Sequence, residues 1–243
     1  MAKTFRLYTK EDLEPNKTIL LNEEQTHYLK NVVKYSLNDT LLCFDNKSGE
    51  FLCEIQSFNK KTTEVIVKSK TKDFASSPDI WLLFAPLKKD KTDFVIEKAT
   101  ELGVRKIIPT LTRYTITNNI KTERYHAQAI EASEQSRRTD IPEISQPQTL
   151  SNILSNWDSQ RTLFFMDETL QSLPFLEQLQ KQPSAKSAIL IGPEGGFSDE
   201  ELSNLRTKSF AKGATLGPRI LRAETAALSA LSCWQMILGD WRK

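Results

Sequence analysis

Ala188-Ile189-Leu190-Ile191-Gly192-Pro193-Glu194-Gly195-Gly196-Phe197-Ser198-Asp199-Glu200-Glu201-Leu202 is the most informative stretch of this 243-residue chain. Ala188 to Ile191 is a short, continuous apolar run bounded by a Gly/Pro bend, the pattern of a buried strand. Ser198 with Glu201 three residues on is a capping box: hydroxyl and carboxylate each take up a backbone N–H that the helix end leaves without a partner. Leu202 and Leu205 give that helix an apolar side. Three glycines, Gly192, Gly195 and Gly196, let the backbone of the bend approach a ligand with no Cβ in the way. Bends at the carboxyl ends of strands are where open α/β sheets bind ligands. This one is not G-x-G-x-x-G, and no Gly-Lys-Ser/Thr occurs anywhere, so dinucleotide and P-loop signatures are missing. Glu194, where a phosphate site would want a cation, suits a neutral or cationic ligand.

A second bend follows in Leu216-Gly217-Pro218-Arg219-Ile220-Leu221-Arg222-Ala223-Glu224-Thr225-Ala226-Ala227. It leads into a final helix over 223–238, whose stripe Ala227, Leu231, Trp234 and Leu238 repeats at helical spacing. Arg219 and Arg222 stand at the entry to that helix, against its macrodipole, which points to a use other than helix stability.

Outward from these bends, strands are predicted at 80–85, 106–109, 162–166, 188–191 and 214–216. Helices are predicted at 94–102, from Thr122 to about Arg138, at 173–180 and from Ser198. Alternating strands and helices imply an α/β domain with a mostly parallel sheet covered on both faces. Before residue 80 the pattern changes. Short strands at 5–8, 18–21, 40–44, 51–58 and 64–67, with one helix at 23–33 capped by Asn22, suggest a small β-barrel. The Lys/Ser-rich stretch 68–78 reads as the linker, giving domains 1–73 and 74–243.

Composition limits the functional classes. With 39% apolar and 26% charged residues the chain is expected to build a core rather than remain disordered. The longest mostly apolar run, Ala226 to Leu238, carries Ser229, Ser232 and Gln235 and falls short of the roughly 20 residues of a membrane span. The opening Met1-Ala2-Lys3-Thr4-Phe5-Arg6 shows no signal-peptide pattern, so a cytoplasmic location is expected. Cys43, Cys53 and Cys233 form no C-x-x-C, and with only His27 and His126 there is no metal-site spacing. The cysteines read as reduced core residues.

Net charge is only +2, and a cut at Asp73 leaves 12 basic against 11 acidic residues before it and 21 against 20 after. Any nucleic-acid surface must therefore be local. From Arg105 to Arg138 seven basic residues, Arg105, Lys106, Arg113, Lys121, Arg124, Arg137 and Arg138, stand against three Glu.

Together the two glycine bends resemble the SPOUT-class methyltransferases, and specifically the ribosomal RNA small subunit methyltransferase E family, bacterial 16S rRNA uridine-N3 methyltransferases. Supporting blocks are Glu97-Lys98-Ala99-Thr100-Glu101-Leu102-Gly103, Glu131-Ala132-Ser133-Glu134-Gln135-Ser136, and Phe5-Arg6-Leu7-Tyr8 with His27-Tyr28-Leu29. The resemblance covers essentially the whole chain. It implies a C-terminal trefoil-knotted α/β domain that binds S-adenosylmethionine (SAM), an N-terminal PUA-like β-barrel that grips RNA, and a homodimer acting on 16S rRNA of the small ribosomal subunit, with no metal and no membrane.

Carried over by position, the cofactor residues would be Met166, Leu190, Ile191, Gly192, Pro193, Glu194, Gly195, Gly196, Leu216, Gly217, Ile220, Leu221, Thr225 and Ala226. Arg222, Arg138 and Glu224 are the catalytic candidates: the arginines to stabilise a developing uridinate, Glu224 as a possible base alongside Glu194 or water. Arg6, Lys34, Lys88, Lys89, Arg113, Arg124 and Arg137 are candidate RNA contacts, with Lys91 and Lys121 as further candidates for phosphate. The chain departs from the family pattern at Met166-Asp167-Glu168, at Arg137, where glycine is usual, and at Lys34 with Asn38-Asp39, where an arginine and a Gly-Asp turn are usual. Two other readings stay open on the residues alone: a related knotted enzyme acting on a ribose 2′-hydroxyl or another base, and a non-catalytic RNA-binding module.

Overall fold

The computed structural model describes residues 5–117, 120–182 and 186–242. It divides into two compact units, Met1–Ser76 with Ser133–Ile141, and Ser77–Ala132 with Pro142–Lys243. Residues 133–141 thus group with the N-terminal strands, whereas the sequence division assigns them to the second domain.

The first unit contains β1 (Arg6–Tyr8), β2 (Thr18–Leu21), α1 (Glu23–His27), β3 (Thr40–Phe44), β4 (Gly49–Phe58) and β5 (Thr63–Asp73). They form a mixed sheet in the order β1-β3-β4-β5-β2, with β1 and β3 parallel and the remaining pairs antiparallel. Alternation sets the core: Leu41 and Cys43 of β3, Cys53 and Ile55 of β4, and Val65 and Val67 of β5 are buried on one face. Asn22 and Gln25 form a capping box at α1. The predicted helix 23–33 is α-helical only to His27; Tyr28–Val33 is a π-helical turn that ends at Lys34 in left-handed conformation. The linker expected from Lys68 begins later, because β5 continues to Asp73 against β4.

Segment 133–141 is fixed by Arg6. This arginine is 6% exposed, pairs through Nε with Glu50, and donates to the carbonyl of Ser133 at 2.8 Å and to that of Arg138. Its guanidinium also lies 3.9 Å from the centre of the Phe44 ring.

The second unit contains β6 (Ile80–Phe84), α2 (Lys89–Glu101), β7 (Lys106–Leu111), α3 (Thr122–Ser136), β8 (Glu143–Ile144), β9 (Gln148–Thr149) and α4 (Leu150–Ser155). The chain continues through β10 (Thr162–Met166), β11 (Leu173–Pro174), α5 (Phe175–Gln180), β12 (Ser187–Ile191), α6 (Asp199–Thr207), β13 (Ala211–Thr215) and α7 (Ala223–Ile237). The last turn of α3, from Ser133, counts with the first unit. Strand order is β11-β13-β10-β12-β6-β7-β8, β9 also pairs with β7, and every pairing is parallel.

Both faces of this sheet are covered, which is why its strands are continuously apolar. Along β12, Ile189 and Ile191 join the core under α2 and α7, while Ala188 and Leu190 join the core under α4 and α6. Trp234 and Leu231 of α7 are fully buried against the first of these cores. Each such side chain contributes about 1.5–3 kcal/mol by burial.

Candidate functional site

Three neighbouring parallel strands, β13, β10 and β12, end side by side, and the bends that follow them enclose one cavity. It offers about 420 Å³ to a ligand, within the range of small-molecule sites.

The first bend turns where the Gly196 N–H donates to the Pro193 carbonyl at 2.9 Å. Gly196 sits at φ +70, a left-handed conformation that glycine adopts without strain. Ser198 then caps α6, accepting from the Glu201 N–H at 3.2 Å, while Glu201 accepts from the Ser198 N–H at 2.9 Å. Gly217, at φ +104, makes the second bend, and the chain enters α7 at Arg222, whose side chain leaves the helix N-terminus uncapped. The third bend follows β10. Asp167, wholly buried, accepts from the Thr169 N–H and hydroxyl at 3.0 and 2.7 Å, from the Ser172 hydroxyl at 2.7 Å and from Arg206 at 3.2 Å. Burial alone would push its carboxyl up; these hydrogen bonds outweigh burial and hold it below the usual carboxylate value.

The cavity collects most of the residues expected at the cofactor. Ile191, Gly192, Pro193, Glu194 and Gly196 line it from the first bend. Leu216, Gly217, Ile220 and Leu221 line it from the second, with Ala226 from α7 and Met166 from β10. Ile220 is 78% exposed, at the lip. Three expected residues are elsewhere. Leu190 points to the opposite face of the sheet from Ile191, as strand alternation requires. The α-carbon of Gly195 faces Tyr114, since a Cβ built there would lie 3.5 Å from the Tyr114 Cβ. Thr225 is exposed and outside the cavity wall.

Other lining residues were not among those expected at the cofactor: Glu168, Leu170, Phe197, Ala223, and Lys91, which the sequence reading gives to RNA phosphate. Phe197 had a signal in the Gly-Gly-Phe order: its ring packs 3.1 Å from where a Gly192 Cβ would stand. Lys91 had none, because it lies about 100 residues before the bend it reaches. Its ammonium hydrogen-bonds Glu194 and lies 3.7 Å from Glu224 Oε1. That ammonium holds the Glu194 carboxyl below its usual value.

The catalytic candidates do not share one environment. Arg222 lines the cavity and is exposed. Glu224, in the first turn of α7, has a buried Oε2 with no hydrogen-bond partner among the described residues. Arg138 belongs to the first unit, where Asp140 engages it at 3.0 and 3.1 Å.

Among the RNA candidates, Arg6 is an interior residue of the first unit, where it engages Glu50 and backbone carbonyls. Lys34 and Arg137 are exposed on the first unit, and Lys88, Lys89, Arg113 and Lys121 on the second. Arg124 pairs with Asp93 at 3.0 Å. Among the described residues no cluster of His, Cys, Asp and Glu could hold a metal, and no helix is long and apolar enough to cross a membrane.

The parallel sheet whose glycine bends enclose a ligand cavity, and the small mixed sheet of the first unit, each match a domain family. A model of the RNA methyltransferase domain matches residues 75–235, and one of an RNA methyltransferase PUA domain matches residues 21–68. The class is therefore an RNA methyltransferase with a SPOUT-type α/β unit and a PUA domain. A Rickettsia conorii ribosomal RNA small subunit methyltransferase E is 33% identical over 228 residues, 93% of each chain. A Neisseria gonorrhoeae ribosomal RNA small subunit methyltransferase E, solved bound to S-adenosyl methionine, superposes with a TM-score of 0.88 at 28% identity, over 98% of this chain and 100% of that one. A Legionella pneumophila protein solved with bound SAM gives a TM-score of 0.87 at 31% identity over the same shares. This chain belongs to the ribosomal RNA small subunit methyltransferase E family.

Proposed function

We propose that this protein transfers a methyl group from SAM to N3 of a uridine in 16S rRNA of the small ribosomal subunit. The observation that carries the reading is the cavity formed where the Gly192–Gly196 and Gly217–Leu221 bends meet beside Met166. Its walls fit the cofactor in kind. Ile191, Leu216, Leu221 and Ala226 supply apolar surface, Gly192 and Gly196 leave backbone bare, and exposed Glu168 puts a carboxylate in the wall for a cationic ligand.

SAM, when bound, supplies an electrophilic methyl carbon on a sulfonium. The chain's part is alignment and charge. Arg222, at the cavity, is suited to stabilise negative charge on the uracil ring as the N3 proton leaves. Glu194 is a weak proton acceptor because Lys91 favours its ionised form, and Glu224 is engaged by the same ammonium, which leaves a water as the base. Exposed Lys88, Lys89 and Arg113, with Lys34 and Arg137 of the first unit, are proposed to hold RNA phosphates. We assign the cofactor to the domain read at 74–243, and RNA contact to the domain read at 1–73 together with the exposed cations just named. A homodimer is proposed on the same grounds, supported by the exposed apolar side chains of Phe94, Met236 and Trp241. The trefoil knot is proposed with it, supported by β13 pairing with β10 rather than with the preceding β12.

The test is nucleoside mass analysis of small-subunit RNA after incubation with the protein and isotopically labelled SAM. Labelled N3-methyluridine is expected. A 2′-O-methyl product would assign the related activity, and SAM binding without incorporation would leave an RNA-binding module.

A further inference from the structure

Lys91 sits in the first turns of α2, yet its side chain is only 28% exposed and turns into the cavity. Its ammonium lies between two carboxylates carried by different parts of the chain. Glu194 belongs to the bend after β12, and Glu224, 15% exposed, belongs to the first turn of α7 beyond the second bend. The three residues come from three elements, and the ammonium is what the other two have in common. Glu224 has no other ion pair among the described residues, and its second carboxylate oxygen is buried without a partner. Removing the ammonium would leave that charge without compensation inside the protein. Lys88 and Arg222 act on Glu194 only at longer range.

We propose that Lys91 is a positioning residue that fixes the two cofactor bends in register by engaging Glu194 and Glu224 together, and is not a contact for RNA phosphate. The inference rests on reading the cavity as the SAM site. A three-donor ammonium suits the role: it can serve two carboxylates, and its stem packs along the wall. Loss of this tie lets the bends separate, so the cofactor must pay for bringing them back. The cost appears in cofactor affinity rather than in the chemical step.

The test combines calorimetric titration with SAM and steady-state methylation of small-subunit RNA, for the wild-type protein, Lys91→Met and Lys91→Arg. A wild type that ignores SAM overturns the cavity reading and this inference with it. With wild-type binding established, Lys91→Met is expected to weaken SAM by about tenfold and raise its KM equally, with kcat kept within about threefold. Lys91→Arg, which keeps the charge and can reach two carboxylates, is expected to recover most of the loss. Unchanged SAM affinity in Lys91→Met overturns the inference and leaves the cavity reading intact. So does an effect confined to the KM for RNA, which would restore the phosphate role, or a fall in kcat at constant KM for SAM. Glu194→Gln provides a second route that preserves shape. It is expected to raise the KM for SAM in the same direction, and adding Lys91→Met to it is expected to cost less than Lys91→Met alone. Full additivity overturns the inference.

Discussion

Alanine placed at Gly196, Gly195 and Gly217 separates backbone strain from cavity filling. At Gly196 the φ of +70 makes any L-residue cost about 1–2 kcal/mol. The new Cβ would also fall 1.8 Å from Glu168 Oε1 and 2.8 Å from its Cδ, so the Glu168 side chain must swing out of place. Because Glu168 is exposed it can move, and strain dominates the loss. If SAM binding requires the native bend, about 1–2 kcal/mol corresponds to roughly five- to thirtyfold in affinity. Gly217, at φ +104, has nothing within 4 Å of the added Cβ, so Gly217→Ala costs strain alone, about 1–3 kcal/mol. Gly195 has no such φ, and its Cβ would touch Tyr114 at ordinary van der Waals distance. Gly195→Ala is therefore expected to stay within about 0.5 kcal/mol of wild type in stability. Calorimetric titration with SAM and thermal denaturation measure both effects. Gly195→Ala losing SAM more severely than Gly196→Ala would refute this assignment of roles within the bend.

Other substitutions probe separate parts of the molecule. Arg222→Ala is expected to abolish methylation while SAM affinity falls only slightly, measured by single-turnover kinetics beside calorimetry; undiminished turnover removes Arg222 from the site. Arg6→Met leaves Glu50 charged and buried, and is expected to cost about 3–5 kcal/mol in denaturant unfolding. A loss of stability below 1 kcal/mol would show that Arg6 is not the interior tie it forms with Ser133 and Arg138. Asp167 is held below its unfolded value, so its stabilisation is complete above about pH 4 and is lost as pH falls through the lower folded value. Asp167→Asn is expected to flatten that acid limb of the stability–pH curve; an unchanged limb would contradict the hydrogen-bonded carboxylate.

Much of this was legible in the sequence because local chemistry and tertiary role coincide. The Ser198–Glu201 box starts α6 as read, and the Ala227, Leu231, Trp234 stripe is the buried face of α7. Where polar residues continue an element, the reading failed. Strand β5 runs six residues past Val67 with every side chain exposed, so no apolar alternation marks it. Helix α2 begins at Lys89, five residues before the predicted start. Its first turns are Lys89-Asp90-Lys91-Thr92-Asp93, polar throughout, and are secured by buried Thr92, which accepts from the Leu87 N–H at 2.9 Å. That early start places Lys91 on a rigid element facing the cavity, and this is why a residue resembling surface charge belongs to the site. Helix α4 packs Leu150, Ile153 and Leu154 in only six residues, too few to show a period. Leu190 illustrates the opposite lesson: adjacency in a motif is not adjacency in space when the motif includes a strand.

A crystal structure of the protein grown with SAM tests the central claim most directly. The cofactor is expected between the Gly192–Gly196 and Gly217–Leu221 bends, against Met166, with its sulfonium methyl facing the side of Arg222. Cofactor bound at another surface, or crystals and solution titrations both showing none, would contradict it.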